Sequence, residues 1–387
     1  MGQARWNKLE LSWLIGILLA VDKKITEVNI KPERVLVNPD KLRHFAMQVL
    51  MKIGVPEEDA QIAADVLVRA DLRGVETHGM SYNNLGRIYV PGIRDRGVNP
   101  KAHIKIVNET PVTALVDGDA GMGLVVGARA MNLAIEKAKH AYIGMVAVRN
   151  SHHFGAAQYF SLMAVPHGML GISSTNSTPI VLPTGGKEPV FGTNPLSVAA
   201  PSNKEAPFCL DMGTSGIVFS NLLLSTRLGK ALPLGVAADK DGQPTTDPNV
   251  ALKARKLLPL GGTPELGSHK GYGLGILVDI LCGVLSGHEA GVQMDEGRGF
   301  GGTGHFFAAI RVDGFRPLEQ FKAQMDEVIQ LIHRVPPMDG YDRVLVAGEN
   351  GHLTEQRRTK EGIPLLPEVV AEFKDLANEL GLTWSLT

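Results

Sequence analysis

The sequence predicts an α/β fold in which a mixed sheet with helices adjoins a mainly helical domain formed by both termini. Two observations predict it. Apolar residues recur at helical spacing between positions 38 and 90, and again from 318 to 380. Between these regions, short apolar runs alternate with longer periodic segments, as strands alternate with helices in α/β proteins. We therefore predict a helical domain of residues 31–110 with 315–387, and an α/β domain of residues 111–314.

The N-terminal helices have recognisable start signals. Asn38 is followed by Pro39, and Asn is a favoured N-cap residue while Pro is favoured in the first turn. A second helix opens with the acidic run 57–59, where negative charge stabilises the positive end of the helix dipole. A third helix is expected to end before Pro91, because the residue that precedes a proline is biased away from helical geometry.

The remaining elements follow from apolar periodicity. Uninterrupted short runs predict strands, and longer stretches with helical spacing predict helices. No fixed repeat and no low-complexity segment occurs. The predicted strands are 34–37, 112–116, 144–148, 169–172, 196–199, 207–210 and 306–312, and the predicted helices are 123–140, 154–165, 273–285, 318–332 and 367–380.

Composition narrows the class of function. The 39 Lys and Arg residues balance 40 Asp and Glu residues, so no basic surplus is available for phosphates and no nucleic-acid partner is expected. Hydrophobic residues make up 44% of the chain, enough for a sizeable core. Cys209 and Cys282 lie in apolar runs and give neither a disulfide framework nor a CxxC metal pair, which indicates a reducing cytoplasm.

Residues 1–30 are interpreted as an N-terminal extension outside the main fold. The apolar stretch 11–21 is about half of the roughly 20 residues that a membrane-spanning helix needs, so no membrane association is expected. Basic residues precede this stretch, as in a signal peptide, but Glu10 interrupts them and no small-x-small cleavage site follows. A misplaced start and a docking helix both stay open.

Two histidine motifs are candidates for proton transfer, because histidine titrates near neutral pH. Gly79 follows His78 and permits a tight turn that leaves the imidazole facing outward. His153 follows a predicted strand, at the end where α/β sheets present ligand-binding groups. The alternatives are a capping or surface histidine at 78 and a backbone-bonded histidine at 153. A zinc site at His152 and His153 lacks a third ligand at suitable spacing, so no metal is expected.

Glycine- and hydroxyl-rich turns follow several predicted strands. Such turns expose backbone N–H groups and small hydroxyls, which can hold pyrophosphate and ribose. Each alone is more often an ordinary turn, but their density after successive strands favours a binding edge. Lys270 begins an apolar helix, where its charge opposes the helix dipole, so it either binds a phosphate or carboxylate or is simply exposed. The turns are Thr175-Asn176-Ser177, Gly185-Gly186, Gly192-Thr193-Asn194-Pro195 and Asp211-Met212-Gly213-Thr214-Ser215.

A Rossmann fold is not expected. Gly121, Gly123 and Gly127 resemble its glycine fingerprint, but residues 117–120 separate them from the preceding predicted strand. The next predicted strand is followed by Arg149 instead of the acidic residue that would bind a ribose. No Walker loop and no GxSxG nucleophile elbow occurs.

A series of motifs occurs in an order that matches a known family. They are Asp71-Leu72-Arg73-Gly74, Thr77-His78-Gly79, His153-Phe154-Gly155, Gly192-Thr193-Asn194-Pro195, Asp211-Met212-Gly213-Thr214-Ser215, Lys270-Gly271-Tyr272-Gly273-Leu274 and Gly348-Glu349. From about Val35 to its C terminus the chain resembles the type-2 malate/L-lactate dehydrogenases, which include sulfolactate, ureidoglycolate and diketogulonate oxidoreductases. The resemblance implies a non-Rossmann fold of the sulfolactate-dehydrogenase type and a homodimer. It also implies NAD or NADP bound by the α/β domain, and a small 2-hydroxy or 2-keto acid as substrate.

The resemblance further implies roles for single residues. His78 and His153 match the two acid/base histidines of the family. The family usually carries an arginine four residues after the first histidine, where it clamps the substrate carboxylate. This chain has Tyr82 there, so either Arg73 or Arg87 substitutes or the substrate differs. The alternative to a dehydrogenase is a non-catalytic or repurposed cofactor-binding protein. The positions that match cofactor contacts are Ser177, Asp211, Met212, Gly213, Lys270, Gly348 and Glu349.

Overall fold

A computed structural model describes residues 34–294 and 301–386. The extension predicted for residues 1–30 lies outside the described residues. A continuous apolar run lets the central strand of the middle region pack on both faces: Phe307 on one face and Ala308 on the other are almost fully buried. The strands are β1 (Val35–Val37), β2 (Lys105–Glu109), β3 (Thr113–Gly121), β4 (Ile143–His152), β5 (Met169–Thr175), β6 (Leu196–Ala200), β7 (Phe208–Met212), β8 (Ala237–Ala238), β9 (Lys256–Leu257), β10 (Gly301–Arg311) and β11 (Ile363–Leu365).

Seven of these strands form one mixed sheet in the order β2-β3-β4-β10-β5-β6-β7. Only β3 and β4 pair in parallel within it, and every other neighbouring pair is antiparallel. It follows from these pairings that β3, β4, β5 and β7 all run in the same direction. Their carboxyl ends therefore meet at one edge, where a sheet presents side chains and turns to a ligand.

The helices confirm most of the sequence predictions. The side chain of Asn38 accepts hydrogen bonds from the backbone N–H groups of Asp40 at 2.9 Å and Lys41 at 3.1 Å, so it caps the first helix as expected. The helices are α1 (Pro39–Lys52), α2 (Glu57–Leu72), α3 (Val90–Asp95), α4 (Gly123–Ala141), α5 (Ala157–Met163), α6 (Phe219–Arg227), α7 (Pro248–Ala254), α8 (Ser268–Asp279), α9 (Leu318–His333), α10 (Glu349–Glu361) and α11 (Pro367–Leu380).

Elements from both termini pack on each other. The main core joins side chains of α1, α2 and α11 to those of α4 and the sheet. Strand β1 pairs with β11, and Arg73 after α2 forms a buried ion pair with Glu355 of α10 at 2.9 Å. The predicted fold class, a mixed-sheet α/β protein with a helical layer from both ends, is confirmed. The division at residues 110 and 314 stays a prediction.

Two helix boundaries differ from those predicted. The third helix does not stop before Pro91: a wide π-type turn at Leu85–Tyr89 leads into α3, which has Pro91 in its first turn. The backbone is already helical at Tyr89 and Val90, so Pro91 lies within a continuous helical segment, and the wide turn before it accommodates the missing backbone N–H. The apolar helix predicted from 273 begins already at Ser268 and ends in a second π-type turn, Ile280–Val284. Helix α10 was not predicted, because its polar sequence carries no apolar period.

Among the described helices, none is both long and apolar enough to cross a bilayer.

Candidate functional site

His78 lies on a short segment that Asp71 holds in place. Asp71 is fully buried at the end of α2, and its two carboxylate oxygens accept the backbone N–H of Ser81 at 3.2 and 3.0 Å. Gly79 lets the chain pass this carboxylate, since a Cβ there would lie 2.3 Å from Oδ1 of Asp71. Burial raises the pKa of Asp71 to about 7. Contrary to the expectation of an outward imidazole, the ring of His78 is partly buried against a second histidine.

That second ring belongs to His153, directly after β4. The two imidazoles are stacked with centroids 5.7 Å apart and planes 15° from parallel. The Tyr89 hydroxyl lies 2.8 Å from Nδ1 of His153, and the Thr77 hydroxyl lies 3.0 Å from Nδ1 of His78. Two histidines that are 75 positions apart in the sequence therefore lie side by side.

Both imidazoles are neutral at pH 7. Burial lowers the pKa of His78 to about 4. Burial, with the charge of His78 as a smaller cause, lowers the pKa of His153 to about 3. A neutral ring that directs its Nδ1 proton to the Tyr89 oxygen keeps a lone pair on Nε2, as a general base requires. Stacking also means that a proton on one ring disfavours a proton on the other.

A third histidine, which sequence reasoning missed, underlies this pair. His305 of β10 is completely buried, and its two ring nitrogens lie 2.8 Å from the hydroxyls of Thr175 and Ser151. Its ring stacks on Phe154 at 4.9 Å, next to His153. The hydroxyl partners come from the ends of β5 and β4, so His305 ties together two strands that β10 separates. Nothing in the local sequence around this residue marks it.

The turn after β5 is closely fitted to the turn before β6. A Cβ on Gly192 would lie 2.0 Å from the Ser177 hydroxyl, so only glycine allows this approach. The Asn194 side chain accepts the Ser177 N–H at 3.1 Å and donates to the Gly275 carbonyl of α8 at 2.9 Å. Ser177 thus lies in a fixed turn at the ligand-presenting edge.

The turn after β7 continues this edge. The Thr214 N–H donates to the Thr193 carbonyl at 2.8 Å, which joins the two predicted turns. Asp211 accepts the backbone N–H of Gln158 at 3.2 Å, and burial raises its pKa to about 6. Met212 and Gly213 follow it on the same segment. Neighbouring strands lie about 4.8 Å apart, and β7 is the fourth neighbour from β4 in the order β4-β10-β5-β6-β7. The edge between β4 and β7 is therefore roughly 19 Å long, a length that suits a dinucleotide.

Of the three other predicted cofactor residues, Lys270 lies near this edge, whereas Gly348 and Glu349 lie beside the start of β7. Lys270 is exposed in the first turn of α8, the helix that Asn194 holds. Gly348 has φ +89° and packs on β7, where a Cβ would lie 2.6 Å from Cβ of Cys209. The Glu349 carboxylate is bound within the protein by His333 at 2.8 Å, by Arg343 and by the Val346 N–H at 3.1 Å. The donor set along the edge, with the Gly192 cradle, fits a nicotinamide dinucleotide.

The two arginines expected at the substrate are engaged elsewhere. The Arg73 guanidinium is buried and donates to Gln158 at 2.7 Å, Glu355 at 2.9 Å and the Gly348 carbonyl at 3.4 Å. It thereby links α2, α5 and α10. Arg87 pairs with Glu372 of α11 at 2.9 Å and lies over the Tyr82 ring at 5.5 Å.

A different arginine, Arg96, lines a surface pocket with Tyr89, His152 and His153. As for metals, within residues 34–294 and 301–386 no three His, Cys, Asp or Glu side chains are grouped so that they could hold an ion.

Several known proteins of one family are similar to this chain. A family profile described as malate/L-lactate dehydrogenase matches residues 37–374. A malate dehydrogenase of Pyrococcus abyssi is 47% identical over 345 residues, covering 89% of this chain and 94% of that protein. An L-sulfolactate dehydrogenase of Methanocaldococcus jannaschii is 40% identical over 358 residues, covering 90% and 98%. The crystal structure of malate dehydrogenase from Entamoeba histolytica is similar with a TM-score of 0.88 at 37% identity, covering 92% and 100%.

Proposed function

The chain belongs to the malate/L-lactate dehydrogenase family, and on that premise we propose that it is an NAD- or NADP-dependent dehydrogenase of a small 2-hydroxy acid. The observation that carries the proposal is the stacked pair of His78 and His153 at the carboxyl ends of the strands, beside an edge that fits a dinucleotide. Relatives act, by their names, on malate and on sulfolactate, both of which are 2-hydroxy acids with a second anionic group.

In the proposed reaction, a bound nicotinamide supplies the hydride chemistry at its C4 atom. His153 accepts the proton of the 2-hydroxyl group on Nε2, and returns it to the carbonyl oxygen in the reverse direction. Tyr89 orients the ring through Nδ1. The negative charge of a bound acid raises the pKa of the buried imidazole, which brings it closer to the working pH. The imidazole of His78 covers one face of the His153 ring and excludes water from that face.

The cofactor residues proposed are those along the edge. Ser177 and Asp211 offer a hydroxyl and a carboxylate to ribose or phosphate groups, Met212 and Gly213 offer backbone, and Lys270 offers a cation to a phosphate. Gly348 shapes the wall beside β7. Glu349 would act through the position of the α10 N-terminus, because its carboxylate is already bound by protein groups.

The second candidate is a cofactor-binding protein without turnover, which Tyr82 in place of the usual arginine favours. One assay separates the two. The purified protein is mixed with NADH or NADPH and a panel of 2-keto acids, and absorbance at the reduced nicotinamide band is followed. A dehydrogenase consumes the reduced cofactor, whereas the second candidate binds it, as fluorescence titration would detect, without turnover.

Variants make this assay specific for the site. His153→Ala is expected to abolish turnover while cofactor affinity is kept. His140→Ala is the matched control, since His140 is exposed on α4. Equal rates in wild type and His153→Ala would contradict the assigned base.

We also propose a cytoplasmic homodimer. Both cysteines are free and buried, as suits a reducing compartment. The face of α8 and the following turn exposes Leu277, Ile280 and Val284, and a second copy of the chain is the occupant that the family resemblance favours. Light scattering after gel filtration tests the dimer, and Val284→Glu is expected to yield monomers.

A further inference from the structure

The Tyr89 hydroxyl reaches Nδ1 of His153 at 2.8 Å from a wide turn of the chain, and the inference here rests on the function proposed above. In this turn, Leu85–Tyr89, the Val90 N–H donates to the Leu85 carbonyl five positions earlier, as in a π-helix. Turns of this kind are rare, and they occur frequently at functional sites. Whatever holds the turn in this shape therefore sets the position of Tyr89 beside the proposed base.

The side chain of Glu372, on α11, is bonded to two points of this segment. Its Oε2 accepts a hydrogen bond from Nδ2 of Asn83 at 2.6 Å. Its two carboxylate oxygens also accept hydrogen bonds from the Arg87 guanidinium, at 2.9 and 3.2 Å. Asn83 precedes the turn by two positions and Arg87 is the third residue of the turn, so one carboxylate bridges its entry and its middle. The Oδ1 of Asn83 accepts the Gly86 N–H at 3.0 Å, which adds a bond within the bridged segment.

The bridge and Tyr89 lie on different sides of the segment. Residues two positions apart on a helix do not face each other, so Arg87 meets Glu372 on one side while Tyr89 lies on another. The exposures agree, since the Arg87 side chain is 36% exposed and Tyr89 is 4% exposed. Glu372 is carried by a well-packed helix, because its neighbours Val369 and Phe373 belong to the main core. The carboxylate therefore holds the outer side of the turn while the Tyr89 hydroxyl reaches the histidine on the inner side.

We propose that Glu372 is a positioning residue of this dehydrogenase, which holds the wide turn from α11 and thereby keeps the Tyr89 hydroxyl on Nδ1 of His153. Without the carboxylate, Asn83 and Arg87 lose their common partner, and the turn relaxes towards ordinary helical pairing. Each residue of an α-helix is rotated by about 100° from the one before it, so a change of one residue in the pairing turns Tyr89 away from the ring. Glu372 thus acts on the proton transfer through Tyr89.

The test compares Glu372→Ala and Glu372→Gln with Glu379→Ala, using the reduced cofactor and the 2-keto acid of the panel that is consumed fastest. Glu379 is a matched control, because it lies about two helical turns later on α11 and also pairs with an arginine, Arg94, outside the wide turn. Glu372→Ala is expected to lower kcat about tenfold, with KM for the reduced cofactor within about twofold, since one hydrogen bond to the base is lost. Glu372→Gln should recover part of kcat, because its amide oxygen still accepts hydrogen bonds. Glu379→Ala should behave as wild type.

A double-mutant cycle shows whether Glu372 acts through Tyr89. Tyr89→Phe removes the same hydrogen bond, so Glu372→Ala should cause no further loss of kcat in the Tyr89→Phe background. Losses of kcat that multiply in the double variant overturn the inference, and so does an unchanged kcat in Glu372→Ala. If Glu372→Ala does not fold, Arg87→Met breaks the ion pair from the other side, and the same two results decide.

The inference and the proposed function fail in different ways. If the wild type shows no turnover with any keto acid, the proposed function fails, and NMR of the 15N-labelled imidazoles then tests the positioning. The 15N resonances of His153 report the hydrogen bond at Nδ1, and His153→Ala assigns them. Glu372→Ala should move these resonances to the positions seen in Tyr89→Phe, while Glu379→Ala matches the wild type. Unmoved His153 resonances in Glu372→Ala refute the inference.

Discussion

Substitution of Gly192 by alanine tests whether the Ser177 turn is part of the cofactor site. The new Cβ would lie 2.0 Å from the Ser177 hydroxyl oxygen, 2.5 Å from its carbonyl oxygen and 2.7 Å from its carbonyl carbon. The hydroxyl can rotate away, but the carbonyl moves only with the backbone. We therefore expect the whole turn to shift.

The magnitude follows from these distances. Ordinary contacts begin near 3.4 Å, so the Ser177 carbonyl oxygen must retreat by about 0.9 Å. Overpacking of this kind costs about 1–3 kcal/mol. The same shift strains the bond from the Ser177 N–H to Asn194, which adds about 1 kcal/mol. Loss of one ligand hydrogen bond at the displaced turn would weaken cofactor binding by about tenfold.

Fluorescence titration with NADH measures the affinity, and urea unfolding measures the stability. Gly144→Ala is a matched control, since a Cβ there would lie 2.0 Å from the Ala134 carbonyl oxygen, a backbone clash of the same severity at the opposite end of β4. Both variants should be destabilised, but only Gly192→Ala should lose affinity. Equal affinity in the two variants would remove Ser177 from the cofactor site, and an unchanged urea midpoint in Gly192→Ala would refute the steric argument itself.

Three further outcomes are expected. Arg73→Ala should lower the free energy of unfolding by about 2–3 kcal/mol in urea, because it removes the buried guanidinium that bonds Gln158, Glu355 and the Gly348 carbonyl, although Arg69 keeps its ion pair with Glu355. Arg94→Ala at an exposed pair should cost less than about 1 kcal/mol. Tyr89→Phe should reduce kcat roughly tenfold with little change in KM, and an unaltered kcat would show that the hydroxyl does not orient His153. Acidification from about pH 6.5 to 4 changes the stability of the fold in two opposite ways. It destabilises the fold through the stacked histidines, whose pKa values are lowered to about 4 and 3, because the unfolded chain then binds protons that the folded protein does not. It stabilises the fold through Asp71, whose pKa is raised to about 7, because the folded protein then binds a proton that the unfolded chain does not. Asp71→Asn should therefore lose Tm more steeply than wild type over this range, and a shallower slope would contradict these assignments.

The sequence was informative where a local rule governs the structure. The Asn38 cap, the periodic helices and the strand-following turns depend on residues close together in the chain. The two histidines were also predictable as candidates, because the motifs that contain them occur along the chain in the same order as in a known family.

Contacts between distant segments were not predictable. Tyr89 reaches His153 only because a wide turn precedes α3, and no periodic pattern indicates that turn. Arg73 was expected at the substrate because its charge was visible, but Glu355 lies on a polar helix that apolar spacing cannot reveal. His305 gains its role from two hydroxyls on other strands.

The junction between the first helices and the end of the chain has a consequence for biosynthesis. The partner of Arg73, Glu355, lies 282 positions later, and Arg358 contacts the Asp71 carbonyl across 287 positions. At about 5–20 residues per second, a ribosome needs roughly a quarter of a minute to a minute to make that interval. Until then the α2 segment emerges with an uncompensated cation and the strand β1 without β11. The nascent chain is therefore exposed to chaperones and proteases over this interval, and the first helical layer is completed only after translation has passed Arg358.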